Sequence, residues 1–140
     1  MTVKFYFSDS KITIPRRTQL KKTIVQIFTD KKRHLERLSY IFCSDEYLLA
    51  LNQSHLQHDY YTDIITFDLS ENSRTIIGEI YISVDRVKDN AKTLKTPVNE
   101  ELHRVIFHGA LHLCGLKDKE PKQAQEMRKA EDLYLKRYFQ

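Results

Sequence analysis

Cysteine is nearly absent. The two present, Cys43 and Cys114, lie far apart and form no C-x-x-C pair. Neither a disulfide framework nor a dithiol redox motif can be read from them. Both read as reduced, buried small residues of a cytoplasmic protein. Long apolar runs are also missing. None approaches the ~20 residues that cross a bilayer, so no membrane partner is expected. The first residues show no positive stretch leading into an apolar core and do not read as a secretory signal. No internal repeat, low-complexity tract or linker divides the chain. Its 140 residues therefore predict one domain over 1–140, long enough to bury a core without disulfides. Neither charge sign dominates. A net charge of +4 and a pI of about 9.0 permit a polyanionic partner without demanding one.

What is present suits a packed core. Apolar residues make up 41% of the chain, with eight tyrosines and seven phenylalanines, so disorder is not expected. Val3 to Phe7 reads as a strand. Pro15 suits the first turn of a helix, and Leu20, Ile24, Ile27 and Phe28 recur at helical spacing from Arg16 to about Lys32. The other face of that helix carries Arg16, Arg17, Lys21, Lys22, Lys31 and Lys32. It reads either as a solvated face or as an RNA-facing patch. Leu38 to Cys43 reads as a strand, and Ser44 as the cap of a helix from Asp45 to Asn52. A polar loop follows to about Tyr61. Strands from Thr62 to Phe67 and from Ile76 to Val84 flank turn residues Ser70 to Ser73 and could pair as a hairpin. Helices are predicted over Asp85 to Leu94, after a Thr96 cap at Pro97, and over Pro121 to Tyr138. The order β-α-β-α-β-β-α-α-α predicts an α/β (α+β) fold: a small mixed sheet packed with about five helices.

Chemistry concentrates in His108-Gly109-Ala110-Leu111-His112-Leu113-Cys114-Gly115-Leu116-Lys117-Asp118-Lys119. On a helix His108 and His112 share a face and can share a metal ion. Gly115 can end that helix in the left-handed conformation, with Leu116 packing back toward Leu111. A chain reversed there can return Asp118 as a third ligand. Two readings stand at this point: a three-ligand metal site, or ordinary helical histidines with Asp118 capping the next helix. In the protease motif H-E-x-x-H a glutamate follows the first histidine. Gly109 occupies that place, so the protease's base is missing. His103 falls about 140° around the helix from His108 and should point away.

This stretch resembles the signature H-G-x-L-H-L-x-G-Y-D-H of the YbeY family. His108, Gly109, Leu111, His112, Leu113 and Gly115 match, while Asp118 stands where the family's last histidine falls. Leu116 and Lys117 replace the family's tyrosine and aspartate. Leu51-Asn52, Asp59 and Thr62 to Phe67 resemble the family's segment L-N-x-x-[YF]-R-x-x-D-x-P-T-D-V-L-S-F. Gly78 to Ser83 resembles its G-[DE]-I-x-I-S strand. Leu56 takes the arginine position and Tyr61 the proline position.

The resemblance implies a metal-dependent endoribonuclease acting in ribosomal RNA maturation and ribosome quality control. Its metal would be zinc, or another divalent ion, on His108, His112 and Asp118. Asn52, His58 and Asp63 become candidate catalytic and supporting residues, with His55 or His58 available to compensate for Leu56. Arg17, Lys21, Lys22, Arg74, Lys117 and Lys119 are candidates for binding RNA. The implied partners are ribosomal RNA, the ribosome or its small subunit, and assembly factors. Two other readings compete: a noncatalytic RNA-binding or ribosome-assembly factor with a structural metal, and a metallohydrolase of another substrate such as a peptide.

Overall fold

The computed structural model of the chain describes residues 2–58 and 60–140. Its elements are β1 (Thr2–Phe7), α1 (Arg17–Asp30), β2 (His34–Cys43), α2 (Asp45–Leu56), β3 (Ile64–Asp68), β4 (Thr75–Ser83), α3 (Val84–Leu94), α4 (Val98–Leu113) and α5 (Pro121–Phe139). Among the described residues the element order is the expected one. The strands form one mixed sheet in the order β1-β2-β4-β3. β1, β2 and β4 run parallel, and β3 returns antiparallel beside β4 as a hairpin.

Strand alternation divides the apolar residues between two faces. Leu38, Tyr40 and Phe42 of β2 and Ile76, Ile80 and Ile82 of β4 point into the main core. There they meet the periodic residues of α1, among them Leu20, Ile24, Ile27 and Phe28, and the buried stripes of α4 and α5. A smaller cluster of Cys43, Leu48 and Ile65 lies under α2 on the opposite face. Both cysteines are buried, and burial pushes both thiols up to about 12. Helix α4 is the centre of the packing. Ten of its sixteen residues are buried, and each large apolar one contributes roughly 1.5–3 kcal/mol of transfer free energy. Tyr40 also donates its buried hydroxyl to the Ile106 carbonyl at 2.8 Å, tying β2 to α4. The open face of α4 is thus held on a rigid scaffold.

Several boundaries differ from the periodic reading, each for a local reason. Arg16 turns left-handed at φ 52°, so α1 starts at Arg17 and Pro15 precedes the helix. Tyr138 holds that turn, with the Arg16 guanidinium 5.3 Å from its ring centroid. β2 begins at His34, ahead of the expected Leu38, and a register irregularity between Leu35 and Arg37 breaks the alternation over that stretch. α2 runs on to Leu56, since Asn52 buries its side chain instead of capping the helix. Ser44 caps α2 as expected, accepting from the Tyr47 amide at 3.1 Å. Thr96 does not cap α4. Its amide donates to Ala91 at 3.0 Å and closes α3 instead.

Candidate metal centre

Two glycines let α4 present its histidines. Gly109 packs α4 onto the hairpin. A Cβ there would lie 2.9 Å from the methyls of Ile64 and Ile80, closer than carbon atoms tolerate. Gly115 ends the helix at φ 102°. The Gly115 amide donates to His112 at 3.0 Å and the Leu116 amide to Leu111 at 3.1 Å, the paired bonds of a Schellman cap. Leu116 packs on the main core. This reversal brings Asp118 back over the helix end.

Nε2 of His108 lies 3.3 Å from one Asp118 oxygen, and Nε2 of His112 lies 3.4 Å from the other. All three ligand atoms of the group fall within 4.8 Å of one another. Two donors at ~2.1 Å from a tetrahedral ion are about 3.4 Å apart. Each separation, to a different carboxylate oxygen, is close to that length and long for a hydrogen bond. Two imidazoles and a carboxylate are donors that zinc accepts, so the residues fit a divalent metal. The competing role of Asp118 is excluded. α5 is capped by a capping box in which the Glu120 amide donates to Gln123 at 3.2 Å.

The far nitrogen of His108 is held as well. Nδ1 lies 2.6 Å from Glu131 on α5, a buried carboxylate. Arg104 donates to Glu131 at 2.9 Å and to Asp132 at 2.7 Å. A carboxylate on Nδ1–H fixes the tautomer that leaves Nε2 free for a metal. Burial opposes a charge on His108, but the Glu131 hydrogen bond and charge, with Asp118 and Asp63, outweigh it and raise the pKa. His103, by contrast, is fully buried in a stack on Tyr138 with ring centroids 5.1 Å apart.

These groups line an open cleft of about 740 Å³. One wall is the α4 face with Glu101, Arg104, Val105, His108 and His112. The second is the α5 face with Met127, Arg128 and Glu131, and the third is formed by Tyr60, Thr62, Asp63, Ile64 and Thr66. Asp63 stands in that third wall. Burial raises its pKa, opposed by the charge of His108. Burial raises Glu101 too, reinforced by the charge of Asp63. Asn52 and His58 do not line the cleft. Asn52 is buried and donates to the Tyr60 carbonyl at 3.0 Å. His58 stacks on the Tyr60 ring with centroids 5.2 Å apart. Both therefore touch a residue that does line it. Leu56, at the end of α2, is outside the cleft, and Asp59 lies outside the described residues.

The predicted cations divide into two groups. Lys117 and Lys119 are exposed on either side of Asp118. Arg74 leaves the hairpin turn, where Arg33 donates to the Ser73 carbonyl and also lies against Gly115. Arg17 and Lys21 sit elsewhere, 5.3 and 5.4 Å over the rings of Phe7 and Phe5 on β1. β1 is the sheet edge opposite β3. Sequence reading missed Glu101, Arg104, Arg128 and Glu131. The first two share the helical face of His108 and His112 and were open to a periodicity argument. Arg128 and Glu131 sit on another helix and needed the packing.

The model of the family described as Endoribonuclease YbeY matches residues 4–139. A Cytophaga hutchinsonii protein named Endoribonuclease YbeY is 48% identical over 134 residues, covering 96% of this chain and 94% of that one. A Porphyromonas gingivalis protein of the same name is 46% identical, covering 95% and 87%. The solution structure of a Thermotoga maritima protein superposes with a TM-score of 0.66 at 26% identity, covering 99% of this chain and 89% of that chain. On the strength of the family match and of relatives alike over nearly their whole lengths, the chain belongs to the YbeY endoribonuclease family.

Proposed function

We propose that this protein is a metal-dependent endoribonuclease that cleaves single-stranded RNA during ribosomal RNA maturation. The observation that carries the reading is the convergence of ligand atoms of His108, His112 and Asp118 within 4.8 Å of one another in an open cleft. Family membership supplies the RNA class. His108, His112 and Asp118 would hold a divalent ion, zinc by donor type, which would supply positive charge for the phosphoryl oxygens. Glu131 orients His108 through Nδ1, and Arg104 holds Glu131. Asp63 is the group suited to accept a proton from the attacking hydroxyl, since it is a cleft carboxylate with a raised pKa. Asn52 and His58 position Tyr60 at the cleft mouth. Lys117 and Lys119, which flank Asp118, bind backbone phosphates beside the site, Arg74 binds one from the hairpin turn, and Arg17, Lys21 and Lys22 form a separate contact for a longer RNA.

The protein is expected to act in the cytoplasm with the ribosome or its small subunit. No helix among the described residues is long and apolar enough to cross a membrane. The test is cleavage of single-stranded RNA by pure protein with and without chelator. Chelator-sensitive cleavage supports the reading. Salt-sensitive RNA binding without any cleavage would favour the noncatalytic alternative.

A further inference from the structure

Glu101 is a cleft group that the metal centre does not use. It is 6% exposed, yet it lines the cleft. No donor among the described residues hydrogen-bonds its carboxylate, although the charges of Arg104 and Arg128 reach it. Arg104 is committed to Glu131 and Asp132. The Glu101 oxygens are not among the buried side-chain atoms left without a partner, so the carboxylate opens to the cleft, where a ligand that displaces its water must bring matching donors. Glu101 stands apart from the metal-ligating trio. It lies two helical turns before His108, ~10 Å along the axis at 1.5 Å per residue. That is within reach of the nucleotide next to one held at the metal.

An ionised carboxylate only accepts hydrogen bonds. Of the four RNA bases only guanine presents two adjacent N–H groups, N1–H and N2–H, on its pairing edge. In adenine and cytosine the exocyclic amine adjoins a ring acceptor, and in uracil the single N–H lies between two acceptors. Each would set a lone pair against a carboxylate oxygen. Tyr60, 55% exposed at the same cleft, offers a ring face for stacking an unpaired base. Resting on the RNA reading above, we propose that Glu101 reads a guanine flanking the cleaved phosphate through paired hydrogen bonds to N1–H and N2–H.

The test is fluorescence anisotropy with the metal-loaded full chain and phosphorothioate RNA pentamers that resist cleavage. All are uridine except the central base, which is guanine, hypoxanthine, adenine or uracil. Wild type should bind the guanine pentamer about tenfold more tightly than the adenine one. Hypoxanthine, which lacks the 2-amino group, should fall between them. Glu101→Gln should abolish the preference, so that its affinities for the guanine and adenine pentamers agree within about twofold. Equal affinity of wild type for guanine, hypoxanthine and adenine overturns the proposal and leaves the RNA reading intact. Retention of the guanine preference in Glu101→Gln overturns it as well. Failure of every pentamer to bind overturns both readings. If Glu101→Gln does not fold, the comparison of guanine with hypoxanthine in wild type decides.

Discussion

Removing the Glu131 carboxylate tests whether the cleft is organised around a metal. Glu131 accepts from His108 Nδ1 at 2.6 Å and from Arg104 at 2.9 Å, and it is 5% exposed. Glu131→Gln keeps the shape and one acceptor but loses the charge. Partners of ligating histidines are worth about 10–100-fold in metal affinity. That corresponds to roughly 1.4–2.7 kcal/mol of binding free energy. Arg104 keeps Asp132 at 2.7 Å, so the metal-free fold should lose less, about 1 kcal/mol. Glu131→Ala should lose more on both counts, because it also leaves Arg104 partly unpaired in a half-buried place. Competition titration with a chromophoric chelator gives affinity, and thermal unfolding in excess chelator gives stability. A pure packing role predicts the reverse ranking: stability falls and metal affinity does not. Wild-type affinity in both variants would refute the argument.

Three further outcomes are expected. Asp118→Asn should weaken metal binding without lowering the stability of chelated protein, because Glu120 and Gln123 cap α5; unchanged metal affinity would remove Asp118 from the ligand set. Reversing Arg17, Lys21 and Lys22 to glutamate should weaken RNA binding at low salt and shrink its salt dependence; identical binding isotherms would remove α1 from the interface. Metal-free protein should lose stability as pH rises through and above 6.5. His108 has a folded pKa raised above 6.5, so its stabilising contribution is complete below 6.5 and lost through the higher folded value. Asp63 and Glu101, raised from 3.8 and 4.5, act in the same direction from lower pH. Asp9 and Asp30 are lowered, through hydrogen bonds from Ser44 and Tyr134, so their contribution is lost only as pH falls below 3.8. A melting temperature that is flat as pH rises through and above 6.5 and unaltered by His108→Asn would contradict this assignment.

The helices and strands were legible where burial is one-sided. α1 shows its core stripe in Leu20, Ile24, Ile27 and Phe28 because its other face is wet. The start of β2 was not legible, since a bulge removes the alternation on which such a reading depends. The trio of His108, His112 and Asp118 could be anticipated because helix spacing and a glycine cap are local rules. Gly109 read as the missing protease base and a match to the family signature, whereas its physical reason is contact between α4 and the side chains of Ile64 and Ile80. Glu131 could not be anticipated, because nothing in the spacing of α5 reveals which turn faces His108. The reading of Asn52 and His58 as candidate catalytic and supporting residues rested on resemblance. Packing sets both against Tyr60, which does line the cleft.

Metal content and RNA cleavage, measured on one preparation of wild type and His112→Ala, test the central claim most directly. His112 is only half-buried, so its truncation should spare the fold. Wild type purified without added metal should carry about one divalent ion per chain and cut single-stranded RNA, and His112→Ala should lose the ion and the cleavage together. Cleavage by His112→Ala at the wild-type rate would contradict the account, as would wild-type protein that cuts RNA in excess chelator.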